Sequence, residues 1–205
     1  MARWTAALLA MVFSLGAVAA EPQAGNEYRV LSEPQPVDAE GAVQVREFFS
    51  YGCPHCFDFN PLLQDWQSSM SESVSVEHVP VTFGRDSWAL LAKAYYVADA
   101  LGVLDKTHDP LFAAIHEDGR RFESPEAIAE FYAEQGVDEE EALKAFDSFA
   151  VTMKMRRAER LVRDYGVRAT PTLAVAGKYV IGVREAGGQS GMLEVAGYLV
   201  DKEQQ

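Results

Sequence analysis

Glu47-Phe48-Phe49-Ser50-Tyr51-Gly52-Cys53-Pro54-His55-Cys56 is the stretch on which the reading of this chain turns. The residues leading into it, Ala42 to Tyr51, are rich in β-branched and aromatic side chains and predict a strand. Gly52 breaks the strand, and Pro54 falls where proline suits the first turn of a helix. Phe57, Leu62, Leu63 and Trp66 then continue as an apolar stripe at roughly helical spacing. Cys53 is therefore expected at a strand-to-helix junction, at a helix N-terminus. The unpaired backbone N–H groups and the helix dipole favour an anion there. A thiolate is the anion on offer, so the Cys53 pKa should fall.

Cys53 and Cys56 are the only two cysteines of the 205 residues. A structural disulfide gains most when it closes a long loop, and a two-residue gap closes almost none. The spacing suits reversible closure instead: one sulfur attacks a partner's disulfide, and the other stands close enough to expel the partner.

Outward from the motif, the pattern is mixed and then helical. Tyr28–Leu31 is a short first strand candidate, and Val74–Val81 alternates as a strand after the cysteine helix. From Asp86 the period changes: Leu90, Leu91, Ala94, Tyr95, Ala98 and Leu101 mark a helix face stopped by Gly102. Pro110 to Ile115 suggests a short helix. Ser124-Pro125 reads as an N-cap with proline at the first helical position, Gly136 ends that helix, and Asp138 with Glu141 starts the next. Val151 to Tyr165 is helical and closes at Gly166. Thr172–Val175 and Tyr179–Ile181 flank Ala176-Gly177-Lys178 as a hairpin, and Met192 to Asp201 is a last amphipathic helix. Pro61 leaves the Phe57 carbonyl without its helical donor, so a kink is expected there. A helical block lying between two halves of an α/β unit argues for an insertion. The expected division is a thioredoxin-fold domain in two segments, 21–85 and 166–205, around an inserted helical domain, 86–165.

Residues 1–20 read as a secretory signal peptide, with Arg3, an apolar run from Ala6 to Val18, and small residues before Glu21-Pro22. The rival reading is an uncleaved anchor. Export implies an oxidising compartment where disulfides persist. The formal charge of −13 would become −14 with loss of a leader whose one charged residue is Arg3. Such a surface disfavours nucleic acid and anionic membrane. The basic run Lys154-Met155-Arg156-Arg157 is followed by Glu159 and Asp164 and reads as a solvated helix face.

Glu47 stands out by pattern. On a strand it shares a face with Val43, Val45 and Phe49, a carboxylate in an apolar row one strand end from the cysteines. Burial there would suit it to exchange a proton with Cys56. At a strand edge it would simply reach water.

The segment Glu47 to Cys56 resembles the active-site segment of the DsbA family of periplasmic thiol:disulfide oxidoreductases, and Gly166-Val167-Arg168-Ala169-Thr170-Pro171-Thr172 resembles that family's cis-proline loop. The order of elements is similar too, and implies an α/β thioredoxin fold interrupted by a helical domain. The resemblance implies that Cys53 is the exposed attacking sulfur and Cys56 the buried resolving one, forming a redox-active disulfide with no other cofactor and no metal. It implies that His55 stabilises the Cys53 thiolate, where the plain alternative is an exposed turn residue. It implies a cis bond at Thr170-Pro171 packed against Cys53, with Pro54, Thr170 and Pro171 contacting an extended substrate; read locally, Pro171 could equally be an ordinary strand-entry proline. The family's lysine beside the acid is missing from Val74–Val81, which leaves Glu47 without an evident charge partner. The implied partners are reduced, unfolded or partly folded exported proteins and a membrane quinone-linked reoxidising protein of the DsbB type. The implied setting is the periplasm, and a monomer is expected.

Other classes fit less well. A c-type haem site needs histidine directly after the second cysteine, and Phe57 stands there. His78, His108 and His116 form no zinc-ligand cluster with the cysteines in sequence, which leaves a metal-binding or copper-delivery module as a remote alternative. A reductase or isomerase of the same fold is the closer one. Between Ala20 and Ala42 there is room for a strand and a loop but no separate dimerisation domain.

Overall fold

The computed structural model describes residues 21–38, 41–70 and 74–205. The leader read at 1–20 lies outside them. In chain order come β1 (Arg29–Val30), β2 (Val43–Phe49), α1 (Pro54–Ser69) and β3 (Val74–Pro80). Five helices follow: α2 (Asp86–Leu101), α3 (Leu104–His116), α4 (Pro125–Glu134), α5 (Glu139–Phe146) and α6 (Phe149–Asp164). The chain then returns through β4 (Thr172–Val175) and β5 (Tyr179–Gly182) to α7 (Gln189–Glu203).

The strands form one sheet in the order β1-β5-β4-β2-β3. β2 runs parallel to β3 and antiparallel to β4, which pairs antiparallel with β5. β2 is thus an interior strand covered on both faces, and every one of its residues from Gln44 to Phe49 is buried. That burial is what a strand without strict apolar–polar alternation requires. One core packs Val45 with Phe59 and Leu63 of α1 and with Met192, Val195 and Leu199 of α7. The other joins Phe48, Phe49 and both cysteines to the aromatic and alanine faces of α2 to α6.

Local rules account for most element ends. The Ser124, Asp138 and Ser148 side chains accept from the backbone N–H three residues on, at 3.3, 2.8 and 3.2 Å, and start α4, α5 and α6. Gly102 closes α2 in the left-handed region. The hairpin turns through Ala176 and Gly177, both at positive φ. At Gly177 a Cβ would also collide with the Gln35 carbonyl, so glycine is required twice over.

The sequence reading needs correction at α3. It begins at Leu104, six residues before the expected start, and carries Pro110 in its interior. The missing N–H of Pro110 leaves one helical bond unmade, and packing of Thr107, Leu111, Phe112 and Ala114 in the core outweighs it. α1 also carries a proline, Pro61, in its interior and continues to Ser69. α6 and α7 each start earlier than periodicity suggests, by two and three residues, β1 loses a residue at each end, and β2 stops at Phe49, before Ser50 and Tyr51.

Arg46 is the largest of the fully buried side chains. Its Nε donates to Glu77 of β3 at 2.6 Å, one terminal nitrogen donates to the Tyr165 hydroxyl, and the other to the Pro36 carbonyl at 3.0 Å. Glu77 also receives Arg157 of α6. One guanidinium therefore ties the sheet, the segment before β2 and the residue capping α6. Arg46→Ala should lower stability by about 2–5 kcal/mol, because it empties a fully buried site and takes the guanidinium donor from the Tyr165 hydroxyl and the Pro36 carbonyl, while Glu77 keeps Arg157. Urea unfolding should show a lower midpoint at unchanged slope.

Candidate active site

β2 delivers the chain to the site and α1 takes it away. After Phe49 the backbone turns tightly: the Cys53 N–H donates to the Ser50 carbonyl at 3.0 Å, and the Gly52 N–H to Ser50 Oγ at 3.2 Å. Cys53 is the N-cap residue of α1, in extended conformation, with Pro54 at the first helical position. Gly52 lies under the Trp88 indole, where a Cβ would come within 2.7 Å of Nε1. The glycine is therefore needed for close approach, and it lets α2 pack onto the motif.

Both cysteines are free thiols, and both are buried, Cys56 completely; Cys53, expected to be exposed, keeps only 7 % of its surface open because the Thr170–Pro171 loop stands against it. Their acidities diverge. The Cys53 pKa is lowered to about 5, foremost by the Cys56 thiol as hydrogen-bond donor; burial opposes this, and Thr170 and the backbone N–H groups of Cys56 and His55 add to the lowering. Cys56 is pushed far up by burial, then by its bond to Cys53 and by the charge of Glu47. Two thiols three residues apart thus differ in the direction set by their surroundings.

Across from Cys53 stands the Thr170–Pro171 loop. The peptide bond is cis, and Cys53 Sγ lies 3.6 Å from the Thr170 carbonyl. Thr172 Oγ1 donates to the Ala169 carbonyl at 2.9 Å and closes the loop. Pro54 and His55 are exposed. His55, Thr170, Pro171, Arg184 and Gln189 help to line a groove of about 440 Å³. Gln189 Nε2 donates to the His55 carbonyl at 2.7 Å, which fixes the motif from α7.

Glu47 lies below the motif, with 2 % of its surface exposed. Its partner comes from the strand register: Glu47 sits opposite His78 of β3, and Nδ1 of that histidine is 2.7 Å from its carboxylate. A histidine thus occupies the place where no lysine was found.

Sequence reasoning set the histidines aside because they are scattered along the chain, yet the fold gathers three of them. His108 and His116 of α3 flank Phe112 on one helix face, a spacing of four and eight residues that could have been noticed. His108 Nδ1 meets the Tyr51 hydroxyl at 2.8 Å, and Nε2 meets Asn60 Oδ1 at 3.2 Å. Burial first, then the nearby His78, pushes its pKa down to about 3. His116 Nε2 donates to the Tyr51 carbonyl at 2.7 Å, and its ring stacks on Phe57. The α3 face therefore holds both sides of the strand-to-helix turn. Among the described residues no group of three or more His, Cys, Asp or Glu side chains could hold a metal ion.

A thioredoxin-like sheet with an acidic thiol at a helix N-terminus, a deeply buried second thiol one turn on and a proline loop against the first defines a thiol–disulfide oxidoreductase. Comparison with known proteins gives the family. Residues 44–187 match the DSBA-like thioredoxin domain. The thiol:disulfide interchange protein DsbA of Pseudomonas aeruginosa is 37% identical over 199 residues, which cover 96% of this chain and 94% of that one. Its namesake in Azotobacter vinelandii is 38% identical over 197 residues, 94% of this chain and 92% of that one. The crystal structure of the Pseudomonas aeruginosa protein superposes with a TM-score of 0.84 at 37% identity, covering 89% of this chain and 95% of the other. That of Xylella fastidiosa DsbA gives 0.83 at 32% identity, covering 89% and 98%. The chain belongs to the DsbA family of thiol:disulfide oxidoreductases.

In the reduced protein Cys53 should alkylate with iodoacetamide at a rate that rises through half-maximum near pH 5, with Cys56 unmodified. The folded value lies below that of an unfolded thiol, ~8.5. The thiolate's contribution to the stability of the reduced protein is therefore complete above the unfolded value and is lost as pH falls through about 5. Urea midpoints of the reduced protein measured against pH should follow that sign once the Cys53→Ala profile is subtracted.

Proposed function

We propose that this protein is a dithiol oxidant that introduces disulfides into exported proteins. The observation that carries the reading is the asymmetry of the two thiols, one held toward the thiolate and the other toward the thiol. A substrate thiolate attacks Cys53 of the enzyme disulfide. The S–S bond pair passes to Cys56, which takes a proton. A mixed disulfide now joins the substrate to Cys53. The substrate's second thiolate attacks its own sulfur in that bond, Cys53 leaves as a stabilised thiolate, and two electrons remain on the enzyme. A low-pKa leaving thiolate speeds the last step and stabilises the reduced enzyme, which makes the oxidised form a strong oxidant.

In this reading Pro54, Thr170 and Pro171 present the substrate to Cys53, and the groove beside them accommodates an extended, unfolded segment through its backbone. His55 adds a donor near the thiolate, and Glu47 supplies the proton for Cys56. Segments 21–85 and 166–205 form the thioredoxin-fold domain, and 86–165 is a helical insertion. Residues 1–20 act as the export signal, and the protein works in the periplasm, as a monomer. A membrane quinone-linked protein of the DsbB type accepts its electrons. No helix among the described residues is long and apolar enough to cross a membrane.

Equilibration with a glutathione buffer tests the direction of electron flow. A potential above about −180 mV is expected, and one near about −270 mV would mark a reductase. His55→Ser should lower the potential, by about 30 mV for each ~1.4 kcal/mol by which the reduced form loses stability. An unchanged potential would remove His55 from the site.

A further inference from the structure

Cys56 poses a proton problem that the cysteines do not solve. When the enzyme disulfide opens, the bond pair lands on a sulfur that is completely buried and strongly disfavours charge. A proton must therefore arrive as the bond breaks, and it must leave again when the disulfide is remade. Glu47, whose charge acts on Cys56, can give and take that proton. But Glu47 is itself sealed, with 2 % of its surface exposed, so after each transfer it needs a route to water.

His78 is the side chain that bridges the two regions. One ring nitrogen, Nδ1, is 2.7 Å from Glu47, and the side chain keeps 22 % exposure. It belongs to β3, the edge strand of the sheet, so the far side of its strand is not covered by another strand. Two cavities, of about 440 and 200 Å³, are each lined by His78 and Tyr95. We propose that His78 relays the proton between Glu47 and solvent each time the Cys53–Cys56 bond opens or closes. An imidazole can take a proton on one nitrogen while releasing one from the other, which a fixed cation cannot do.

The groups around His78 fit this role. From β2 comes Glu47, its bonded partner. From α3 comes His108, ring to ring at 5.3 Å, held neutral by burial and so no competitor for the proton. Asp105 and Asp109 of α3 line the smaller cavity with it. In the larger one the acids Glu77 and Asp99 are paired with the cations Arg157 and Lys154, and Arg157 also reaches Asp38. His78 thus faces ion-paired charges on one side and, on the other, Asp105 and an Asp109 that is held by the Asn60 and Gln64 amides at 2.7 and 2.8 Å.

The inference rests on the reading of Glu47 as the proton donor to Cys56, and the test separates the two. Oxidised full-length protein is reduced by dithiothreitol at constant thiolate concentration, in single turnover, between about pH 5 and 8. Wild type is compared with Glu47→Gln, His78→Gln and His78→Ala, the last with and without added imidazole. A glutamine at 78 can still donate to Glu47 but cannot carry a proton. His78→Gln should be slower by about tenfold, less than the ~100-fold that loss of the acid itself brings, and its rate should lose the wild-type dependence on pH. Imidazole should restore His78→Ala in proportion to its concentration and leave Glu47→Gln unchanged. Wild-type rate and pH profile in His78→Gln, beside a slow Glu47→Gln, would overturn the relay and leave Glu47 in place. Slow His78 variants that ignore imidazole and keep the wild-type pH profile would make the histidine a fixed support for Glu47, and would also overturn it. A wild-type rate in Glu47→Gln would sink both readings. If His78→Ala does not fold, the pH profile of His78→Gln decides.

Discussion

A single turn of helix separates two sulfurs that stand in opposite electrostatic surroundings. Cys53 lies where the backbone of α1 has N–H groups to spare, with a thiol donor behind it. Cys56 lies inside the core, where an anion has little to solvate it and a carboxylate nearby to repel it. Charge therefore rests comfortably on one sulfur and poorly on the other, and the direction of thiol–disulfide exchange follows from that difference. The arrangement needs the strand to end, the chain to turn and the helix to begin within four residues. Gly52 under Trp88, the Ser50 turn and the His116 bond to the Tyr51 carbonyl all hold that turn in place.

The sheet beneath carries an unusual polar load for an interior strand. Gln44, Arg46 and Glu47 are all buried in β2. The two charged residues are neighbours in sequence and so point to opposite faces. Arg46 is matched by Glu77, Tyr165 and Pro36, and Glu47 by His78. Both pairings depend on β3 lying parallel to β2 in one register, since Arg46 faces Glu77 and Glu47 faces His78. A slip by one residue would bury both charges unpaired, at a cost of several kcal/mol each. The same register that aligns the strands thus also sets His78 against Glu47 beneath the active site.

Much of this was legible in the residues. The strand, glycine, cysteine and proline of the motif each have a local physical meaning, and together they locate Cys53 at a helix start. Caps at Ser124 and Asp138 and the stop at Gly102 are short-range signals, and the helices begin and end at them. The reading faltered where tertiary packing overrode local preference. Pro110 looks like a boundary, yet α3 passes through it because its apolar face is needed in the core. His78, His108 and His116 look unrelated, since the last lies 38 positions beyond the first.

The sequence by itself determined the chemistry and the kind of fold: a dithiol pair at a strand-to-helix junction, a second loop with proline, and helices set between the strands. These follow from interactions over a few residues, which composition and spacing encode directly. Only the tertiary structure decided who partners whom. Glu47 acquires His78 through strand register, Cys53 acquires Thr170 from 117 positions further along the chain, and α3 comes to brace the turn from outside it. Those pairings depend on which surfaces the whole chain can bury at once, and no local pattern carries that information.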